Sequence, residues 1–326
     1  MVMPWHCNLK PPETSGTIMK RRQFIQKGAL AGSLLSFGGT AIASSLSLNE
    51  SKSKHSFNLK YAPHLGMFKD HAGDDVIRQL EFMADQGFTA FEDNEMRNRP
   101  LSEQKVMART MEKHGIEMGV FVAHKIYWKE PNLASGNKEW REEFINYIKS
   151  SVEVAKRVNA RWMTVVPGHV DLHLHKDYQT TNVIETLKYA SDVLEPHDLT
   201  MVLEPLNFRG HPGMFLAESP HAYQICKAVN SPSCKILYDI YHQQIQEGNL
   251  LPNIESCWDE IAYFQIGDNP GRNEPTSGEI NYKNVFKYIH SRGFEGILGM
   301  EHGNSIDGKK GEQRVIDAYK EVDNFL

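Results

Sequence analysis

The strongest constraint on the fold is a regular alternation of short apolar runs and longer amphipathic segments, which begins near Leu59. In the longer segments apolar residues recur at helical spacing, and Gly87 and Gly115 end the first two of them. The expected strands are Leu59–Ala62, Thr89–Glu92, Glu117–Ala123, Trp162–Val166, Thr200–Glu204, Lys235–Asp239, Ile261–Ile266 and Gly296–Glu301. The expected helices are Asp74–Gln86, a helix capped by Ser102 that contains Lys105–Lys113, Lys138–Val158, Thr181–Glu195, Pro220–Val229, Asn253–Trp258, Tyr282–Ser291 and Glu312–Phe325.

Eight strand–helix units without a linker predict an α/β fold, a single (β/α)8 TIM barrel over residues 59–326. The competing architecture is a doubly wound open sheet. Such a sheet usually carries a glycine-rich phosphate loop after its first strand, and residues 61–66 lack that pattern.

The composition excludes several classes of protein. Of the 326 residues, 40% are apolar and 24% are charged, which is typical of a soluble globular chain. No charge-free apolar run reaches the roughly 20 residues that a membrane span requires, which excludes a multi-span membrane protein. The net charge of −5 argues against a nucleic-acid partner, because such proteins usually carry an excess of lysine and arginine.

The N-terminal segment predicts an export signal. Residues 19–27 are basic and include Arg21 and Arg22, and an uncharged stretch rich in small residues follows and ends in Ala41-Ile42-Ala43. This order is typical of a cleavable signal, and the arginine pair resembles a twin-arginine signal. We therefore expect a periplasmic or otherwise exported protein, with an uncleaved anchor helix or a cytoplasmic location as alternatives. Met1 and Met19 both remain possible starts.

Removal of residues 1–43 would change the charge of the chain. It takes away five basic residues and one acidic residue, which leaves 31 basic and 40 acidic residues and a charge of −9. Residues 44–58 are rich in serine, lysine and asparagine and predict a flexible lead-in to the barrel. No stable membrane span is expected after cleavage.

The cysteines leave one question open. Cys7 lies in the segment that would be removed, so Cys226, Cys234 and Cys257 remain, an odd number. Cys226 and Cys234 could pair across a short loop, or all three could be buried free thiols.

Polar oxygen-bearing side chains end four consecutive strands. Glu204, Asp239, Gln265 and Glu301 each follow an apolar run, at the end of the barrel where active sites form. A charged residue directly after a buried strand is costly unless it is paired or binds a metal. Three carboxylates and an amide form an all-oxygen set, which suits Mg²⁺ or Mn²⁺ better than Zn²⁺.

Residues 200–303 resemble the hydroxypyruvate isomerase branch of the xylose isomerase-like barrel superfamily. The motifs that carry the resemblance are Leu203–Asn207, His211–Leu216, Asp239–Gln244, Gly267–Pro275 and Gly278–Tyr282. The resemblance implies that Glu204, Asp239, Gln265 and Glu301 hold the metal and that Glu204 and Glu301 are also the catalytic pair. One departure is His302 after Glu301, where an aromatic residue is expected.

The implied reaction is an aldose–ketose type isomerisation through an enediolate, with hydroxypyruvate converted to tartronate semialdehyde. One glutamate would remove the proton next to the carbonyl group and the other would return it. The alternative is a sugar epimerase, or another sugar isomerase of the same superfamily, that acts on exported or imported carbohydrate. An endonuclease on the same barrel would need a histidine-rich zinc centre and a basic surface, and a non-catalytic binding protein would not need two opposed bases.

Four further residues are candidate substrate ligands. His242 is expected in the loop after strand six, Arg272 lies in a glycine- and proline-rich loop, and Asn207 and His124 follow strands five and three. An arginine fork suits a substrate carboxylate, although Arg272 could instead brace its loop through an ion pair with a nearby glutamate. His242 could also have a purely structural role.

Several other features have competing interpretations. The alternating histidines of residues 169–175 favour pocket lining or an oligomer contact over a second metal site. Trp128 and Phe68 could line the pocket or pack in the core. We expect a small hydroxy-carbonyl or sugar as the substrate, and a homo-oligomer is possible.

Overall fold

The computed structural model describes residues 55–326, which form an α/β fold of parallel strands surrounded by helices. The predicted export signal with Arg21 and Arg22, and most of the predicted lead-in, lie outside the described residues. The strands are β1 (Lys60–Ala62), β2 (Ala90–Phe91), β3 (Glu117–Met118), β4 (Trp162–Val165), β5 (Thr200–Leu203), β6 (Cys234–Asp239), β7 (Ile261–Gln265) and β8 (Ile297–Gly299).

The strands are paired in the order expected for a barrel. One sheet runs β1-β8-β7-β6-β5-β4, and β2 pairs with β3. All of these pairs are parallel. Single parallel bridges, from His64 to Glu92 and from Val122 to Thr164, join the β2–β3 pair to β1 and β4. The predicted barrel fold is therefore confirmed, with its first strand paired to its last.

Helices follow the strands as predicted, with changes at their ends. They are α1 (Lys69–Ala72), α2 (Val76–Asp85), α3 (Leu101–His114), α4 (Lys138–Val158), α5 (Lys176–Leu194), α6 (Ser219–Val229), α7 (Ile240–Gln246), α8 (Leu250–Cys257), α9 (Tyr282–Ser291) and α10 (Gly308–Asp323). Ser102 was wrongly predicted to cap α3, because that helix begins at Leu101 with Pro100 at its N-cap. A loop was wrongly predicted at α7, since the Asp239 side chain accepts the backbone N–H of His242 and starts a helix there.

The apolar core has two layers. Inside the barrel, residues from all eight strand positions meet in one cluster, namely Ala62, Ala90, Val120, Trp162, Val202, Leu237, Tyr263 and Ile297. Side chains that point the other way, such as Met201 and Leu203, pack between the strands and the helices. Each large apolar side chain that is fully buried stabilises the fold by roughly 1.5–3 kcal/mol. Because side chains alternate along a strand, the residues two positions after this inner cluster also face the barrel interior.

Contacts with the barrel begin before the predicted strand start at Leu59. The Phe57 ring stacks on Phe88 at 5.1 Å between centroids, and the Asn58 N–H donates to the buried carboxylate of Asp323 at 2.7 Å. Residues 55–58 are thus part of the packed fold, which ties the start of the barrel to its last helix.

Two further findings concern the described chain as a whole. Cys226, Cys234 and Cys257 are buried free thiols, so the possible pair between the first two is not formed. Within residues 55–326, every helix is too short or too polar to cross a membrane.

Candidate active site

The polar side chains at the strand ends point into the barrel mouth because side chains alternate between the two faces of a strand. Successive strand residues point to opposite faces, so a residue two positions after an interior residue also faces the interior. Interior Val202, Leu237 and Tyr263 are followed at this spacing by Glu204, Asp239 and Gln265. Ile297 is followed in the same way by Gly299 and then by Glu301. The four predicted strand-end residues therefore lie at one mouth of the barrel. We call this group, Glu204, Asp239, Gln265 and Glu301, the acidic cluster.

Arg272 is the cation of this cluster. One of its terminal amino groups donates to Asp239 Oδ2 at 3.2 Å and to Glu301 Oε2 at 2.8 Å. The guanidinium group lies over the Tyr241 ring, 4.9 Å from its centroid, while its buried Nε–H has no acceptor. Within residues 55–326, the alternative bracing pair with Glu274 or Glu279 is not formed. Glu274 instead binds Ser305 and Arg314, and Glu279 accepts from Asn269 and Gln244. Arg272 therefore pairs with the acidic cluster and keeps a buried N–H donor that has no acceptor within the described residues.

His242 lies on α7 and faces the same carboxylates. Its Nε2 is 3.5 Å from Asp239 Oδ2 and 3.9 Å from Glu204 Oε1. Its Nδ1 accepts the backbone N–H of Asn207 at 3.2 Å. A neutral ring that accepts at Nδ1 carries its proton on Nε2, so the ring presents an N–H group to the cluster. Burial lowers the pKa of His242 to about 4, which keeps the ring neutral.

Glu92 belongs to the cluster and was missed in the sequence. It follows the buried residues Ala90 and Phe91, and its carboxylate accepts from Tyr263 Oη and from Gln265 Nε2, each at 2.9 Å. The same strand-end rule that indicates Glu204 applies to Glu92, since β2 also ends in a carboxylate. The predicted strand-end residues come only from strands five to eight, so Glu92 was not predicted.

A second missed residue, Asn94, lies in the loop after β2. Its side-chain amide donates to Glu301 Oε1 at 3.1 Å, and its own carbonyl oxygen is buried without a hydrogen-bond partner. Glu301 is therefore held on one side by Asn94 and on the other by Arg272. No local pattern marks Asn94, because its role depends on the path of the loop.

Electrostatically the cluster is short of positive charge. Burial, together with the nearby Glu301, raises the pKa of Glu92 well above its usual range. Burial and the charges of Glu301 and Asp239 do the same for the pKa of Glu204. Burial also raises the pKa of Glu301, although Arg272 opposes this. Four carboxylates thus share one guanidinium group, and a cation among them would favour their ionised forms.

The donor set fits a hard divalent cation. Glu204, Asp239 and His242 each place one potential ligand atom within 4.8 Å of the others. The Nε2 proton makes His242 a donor rather than a ligand, which leaves carboxylate oxygens as the favoured ligands. Gln265 adds a buried Oε1 that has no hydrogen-bond partner. Such an orphaned buried oxygen is what an oxygen-binding cation such as Mg²⁺ or Mn²⁺ would satisfy.

The other two candidate substrate ligands make mainly internal contacts. Asn207 is buried and approaches His242 Nδ1 through both its backbone and its side chain, while its Oδ1 accepts the Gly210 N–H at 2.8 Å. His124 binds the Lys125 carbonyl through Nδ1 at 2.8 Å and accepts the Val166 N–H through Nε2 at 3.2 Å. Asn207 thus orients His242, and His124 joins the ends of two neighbouring strands.

The buried ring of His124 gives a prediction about acid stability. Burial lowers the pKa of His124 to about 4, whereas an unfolded histidine titrates near ~6.5. Its contribution to stability is therefore complete above pH ~6.5 and is lost as the pH falls toward 4, because only the unfolded chain takes up the proton in that window. We expect His124→Gln to reduce the pH slope of the unfolding free energy there by up to about 1.4 kcal/mol per pH unit.

Urea denaturation of the wild type and of His124→Gln, at neutral pH and at about pH 5, measures this slope. Glutamine keeps an acceptor for the Val166 N–H. Equal slopes for the two proteins would show that the folded state already binds the proton on His124.

The two aromatic residues that could line the pocket or pack in the core, Phe68 and Trp128, differ in exposure. Phe68 is fully buried in the core, whereas Trp128 is 47% exposed. The Trp128 ring stacks on His211 at 5.2 Å, and His211 in turn lies 5.3 Å from the His242 ring. Trp128 therefore belongs to the rim of the mouth and not to the core.

The histidine-rich segment after β4, residues 169–175, forms an isolated bridge followed by a turn. His169 is bridged to Met214, while His175 caps α5 and accepts the Asp177 N–H. Among the described residues, the one cluster of three or more potential metal ligands is that of Glu204, Asp239 and His242. The segment is thus not part of such a cluster.

A (β/α)8 barrel with a cluster of buried carboxylates at its strand ends has the architecture of a barrel enzyme. Residues 80–322 match the family described as xylose isomerase-like TIM barrel. The chain belongs to the xylose isomerase-like TIM-barrel family, which confirms at family level the resemblance seen in residues 200–303.

Two curated relatives and one solved structure show the range of the family. Hydroxypyruvate isomerase of Escherichia coli is 31% identical over 179 residues, which cover 55% of this chain and 69% of that protein. The 2-oxo-tetronate isomerase of Pectobacterium atrosepticum is 28% identical over 261 residues, or 76% and 95% of the two chains. The structure of AP endonuclease, family 2, from Brucella melitensis has a TM-score of 0.69 at 26% identity over 78% of this chain and 96% of that one. The names of the two curated relatives support an isomerase activity.

Proposed function

We propose that this chain is a metal-assisted isomerase of small sugar acids, which moves a proton between neighbouring carbons through an enediolate. The observation that carries the proposal is the pair of carboxylates, buried Glu204 and partly buried Glu301, in one cluster with the guanidinium group of Arg272. Hydroxypyruvate and 2-oxo-tetronate, which the names of two relatives contain, are the first substrates to test.

Two glutamates with raised pKa values suit proton transfer. A carboxylate whose pKa lies nearer to neutrality is a stronger base, and its conjugate acid remains available as a donor. One of Glu204 and Glu301 would take the proton next to the carbonyl group, and the other would return a proton to the neighbouring carbon. The hydroxyl proton of the substrate would pass to the former carbonyl oxygen in the same conversion. Asn94 and Arg272 hold Glu301 in place for this exchange.

Two neighbouring side chains would bind and orient the substrate. The His242 N–H group faces the cluster and would donate to a substrate oxygen. Arg272 has a buried Nε–H without an acceptor and would bind the substrate carboxylate. The carboxylates of Glu204, Asp239 and Glu301 would hold the divalent cation together with the side-chain oxygen of Gln265. When bound, the cation acts as a Lewis acid toward the substrate oxygens.

The loop after β7 restrains the arginine. The backbone N–H of Arg272 donates to the backbone carbonyl of Asp268 at 2.7 Å. The backbone carbonyl of Arg272 accepts the backbone N–H of Gly303 at 2.9 Å. The loop is therefore tied to the segment that follows β8. This bracing keeps the guanidinium group at the mouth, where a substrate carboxylate would meet it.

One observation favours a second candidate, a neutral-sugar epimerase. The exposed Trp128 ring lies on the rim, two ring contacts away from His242. Such a surface suits the apolar face of a sugar larger than a three-carbon acid. The two candidates share the proton-transfer step and differ in what Arg272 and Trp128 contact.

The deciding measurement is uptake of solvent deuterium into substrates by the purified protein with Mg²⁺ or Mn²⁺. We expect exchange into hydroxypyruvate or 2-oxo-tetronate, loss of this exchange with a chelator, and its recovery when the metal is returned. Exchange into neutral ketoses alone would favour the epimerase. Absence of exchange into every compound would contradict the isomerase proposal.

A further inference from the structure

The Gln265 side chain is held by Glu92 at one end of its amide, while the other end has no partner within the described residues. Its Nε2 donates to Glu92 Oε1 at 2.9 Å, whereas its Oε1 is buried and has no partner within the described residues. An amide offers a donor at one end and an acceptor at the other. The direction in which it is turned therefore decides whether the cluster meets an oxygen or an N–H group.

Glu92 is itself fixed from the opposite side. Its second carboxylate oxygen accepts from Tyr263 Oη at 2.9 Å, and the residue is 2% exposed. Glu92 directly follows β2, while Gln265 and Tyr263 belong to β7, so the contact crosses the barrel interior. Asp239 and Arg272 take no part in these two hydrogen bonds.

The barrel interior has space for this pair because two glycines lack side chains. A Cβ atom at Gly299 would lie 1.8 Å from Glu92 Oε2, and one at Gly119 would lie 2.4 Å from Tyr263 Oη. Neither glycine has the positive φ angle that itself requires glycine. Space for the Glu92 and Tyr263 side chains is thus the constraint that the structure shows at these positions.

We propose that Glu92 is a positioning residue that turns the Gln265 amide so that its oxygen faces the acidic cluster and can serve as a metal ligand. The inference rests on the metal site of the proposed function. Glu92 acts through the Gln265 amide and, by itself, touches neither metal nor substrate. If the amide were reversed, its oxygen would face the Glu92 carboxylate and its N–H group would face the cation, and both contacts are unfavourable.

The test measures Mn²⁺ affinity, from the free-ion electron paramagnetic resonance signal, in the full purified chain after treatment with a chelator. Glu92→Asp keeps the negative charge but withdraws the carboxylate from Gln265, whereas Glu92→Gln removes the charge and keeps the size. We expect Glu92→Asp to raise the Mn²⁺ dissociation constant by about 10- to 100-fold, as is usual when the partner of a metal ligand is lost. Glu92→Gln should raise it less, because its amide oxygen can still accept from Gln265 Nε2. The matched control, Glu185→Asp, alters a surface ion pair with Arg141 and should leave the affinity unchanged.

A rescue experiment separates positioning from general damage. In the Glu92→Asp background, Gln265→Glu presents an oxygen in either orientation of the side chain, so we expect it to restore most of the lost affinity. A role of Glu92 in folding alone would not be rescued in this way. If Glu92→Asp does not fold, as judged by circular dichroism, Gly299→Ala takes its place, because the added Cβ displaces the Glu92 carboxylate.

The outcomes distinguish this inference from the proposed function. If the wild type does not bind Mn²⁺, the metal site itself is contradicted. If the wild type binds and Glu92→Asp (or its replacement) binds equally well, the positioning role is overturned, and the same holds if only the charge-removing variant is weakened. Weaker Mn²⁺ binding in Glu92→Asp than in Glu92→Gln, with recovery by Gln265→Glu, supports the inference.

Discussion

Replacement of Glu204 or Glu301 by glutamine is expected to lower the rate of proton exchange by at least about 10³-fold, within the range found when a general acid or base is lost. Glutamine has nearly the same shape but cannot take up a proton at neutral pH. Glu204 is buried and Glu301 is partly buried, and each has a raised pKa. Loss of either residue should therefore stop the transfer between the two carbons.

Single-turnover and steady-state exchange into hydroxypyruvate and 2-oxo-tetronate measure this effect. Metal affinity has to be measured in the same variants, since both residues are also expected ligands, and exchange is then compared at saturating Mn²⁺. Glu185→Gln, on the surface, is the matched control and should retain full activity. Activity above a tenth of the wild-type value in either variant would contradict the two-glutamate mechanism.

Replacement of Arg272 by alanine is expected to raise KM for a carboxylate-bearing substrate by about 10²-fold, because a hydrogen bond to a charged group contributes roughly 1.5–3 kcal/mol. The same change should affect a neutral ketose much less, since a neutral ketose has no carboxylate to bind. Arg272→Lys keeps the charge but loses the fork, and an intermediate KM is expected. Arg272 thus reports which of the two candidate substrate classes is correct.

Steady-state kinetics with a sugar acid and with a neutral ketose provide the comparison. Arg161→Ala is the control, because Arg161 directly precedes β4 and lies at the opposite end of the barrel from the strand-end cluster. An equal rise in KM for both substrates would mean that Arg272 acts by holding Asp239 and Glu301. In that case the sugar-acid assignment loses its main support.

The barrel could be predicted because its signals are local and repeated. Each strand–helix unit contains a short apolar run followed by a segment with helical periodicity. Residues that face the barrel interior recur at every second position along each strand. Helix α7 was missed for a physical reason: seven residues give too few turns for a periodic pattern. Its one signal, Asp239 as N-cap, coincides with the predicted metal ligand.

The site could be predicted in part for the same reason. Glu204, Asp239, Gln265 and Glu301 each interrupt an apolar run, and a barrel brings strand ends together whatever the loops do. Glu92 carries the same signal at the end of the short strand β2. The tautomer of His242 could not be predicted, because it depends on the backbone N–H of a residue in another loop. Contacts of this kind exist only after the loops have folded.

The pairing of the first strand with the last has a consequence for how this protein acquires its chemistry. Lys60 is paired with Ile297 across most of the described chain, and Asn94 reaches Glu301 over a separation of 207 residues. Contacts between distant parts of a chain form late in folding, because the loop between them must close first. A nascent chain that ends before β8 therefore contains Glu204, Asp239 and Gln265 but not Glu301, so the acidic cluster is incomplete. Assembly of the mouth marks completion of the barrel, so an incomplete chain would lack the site that binds the cation.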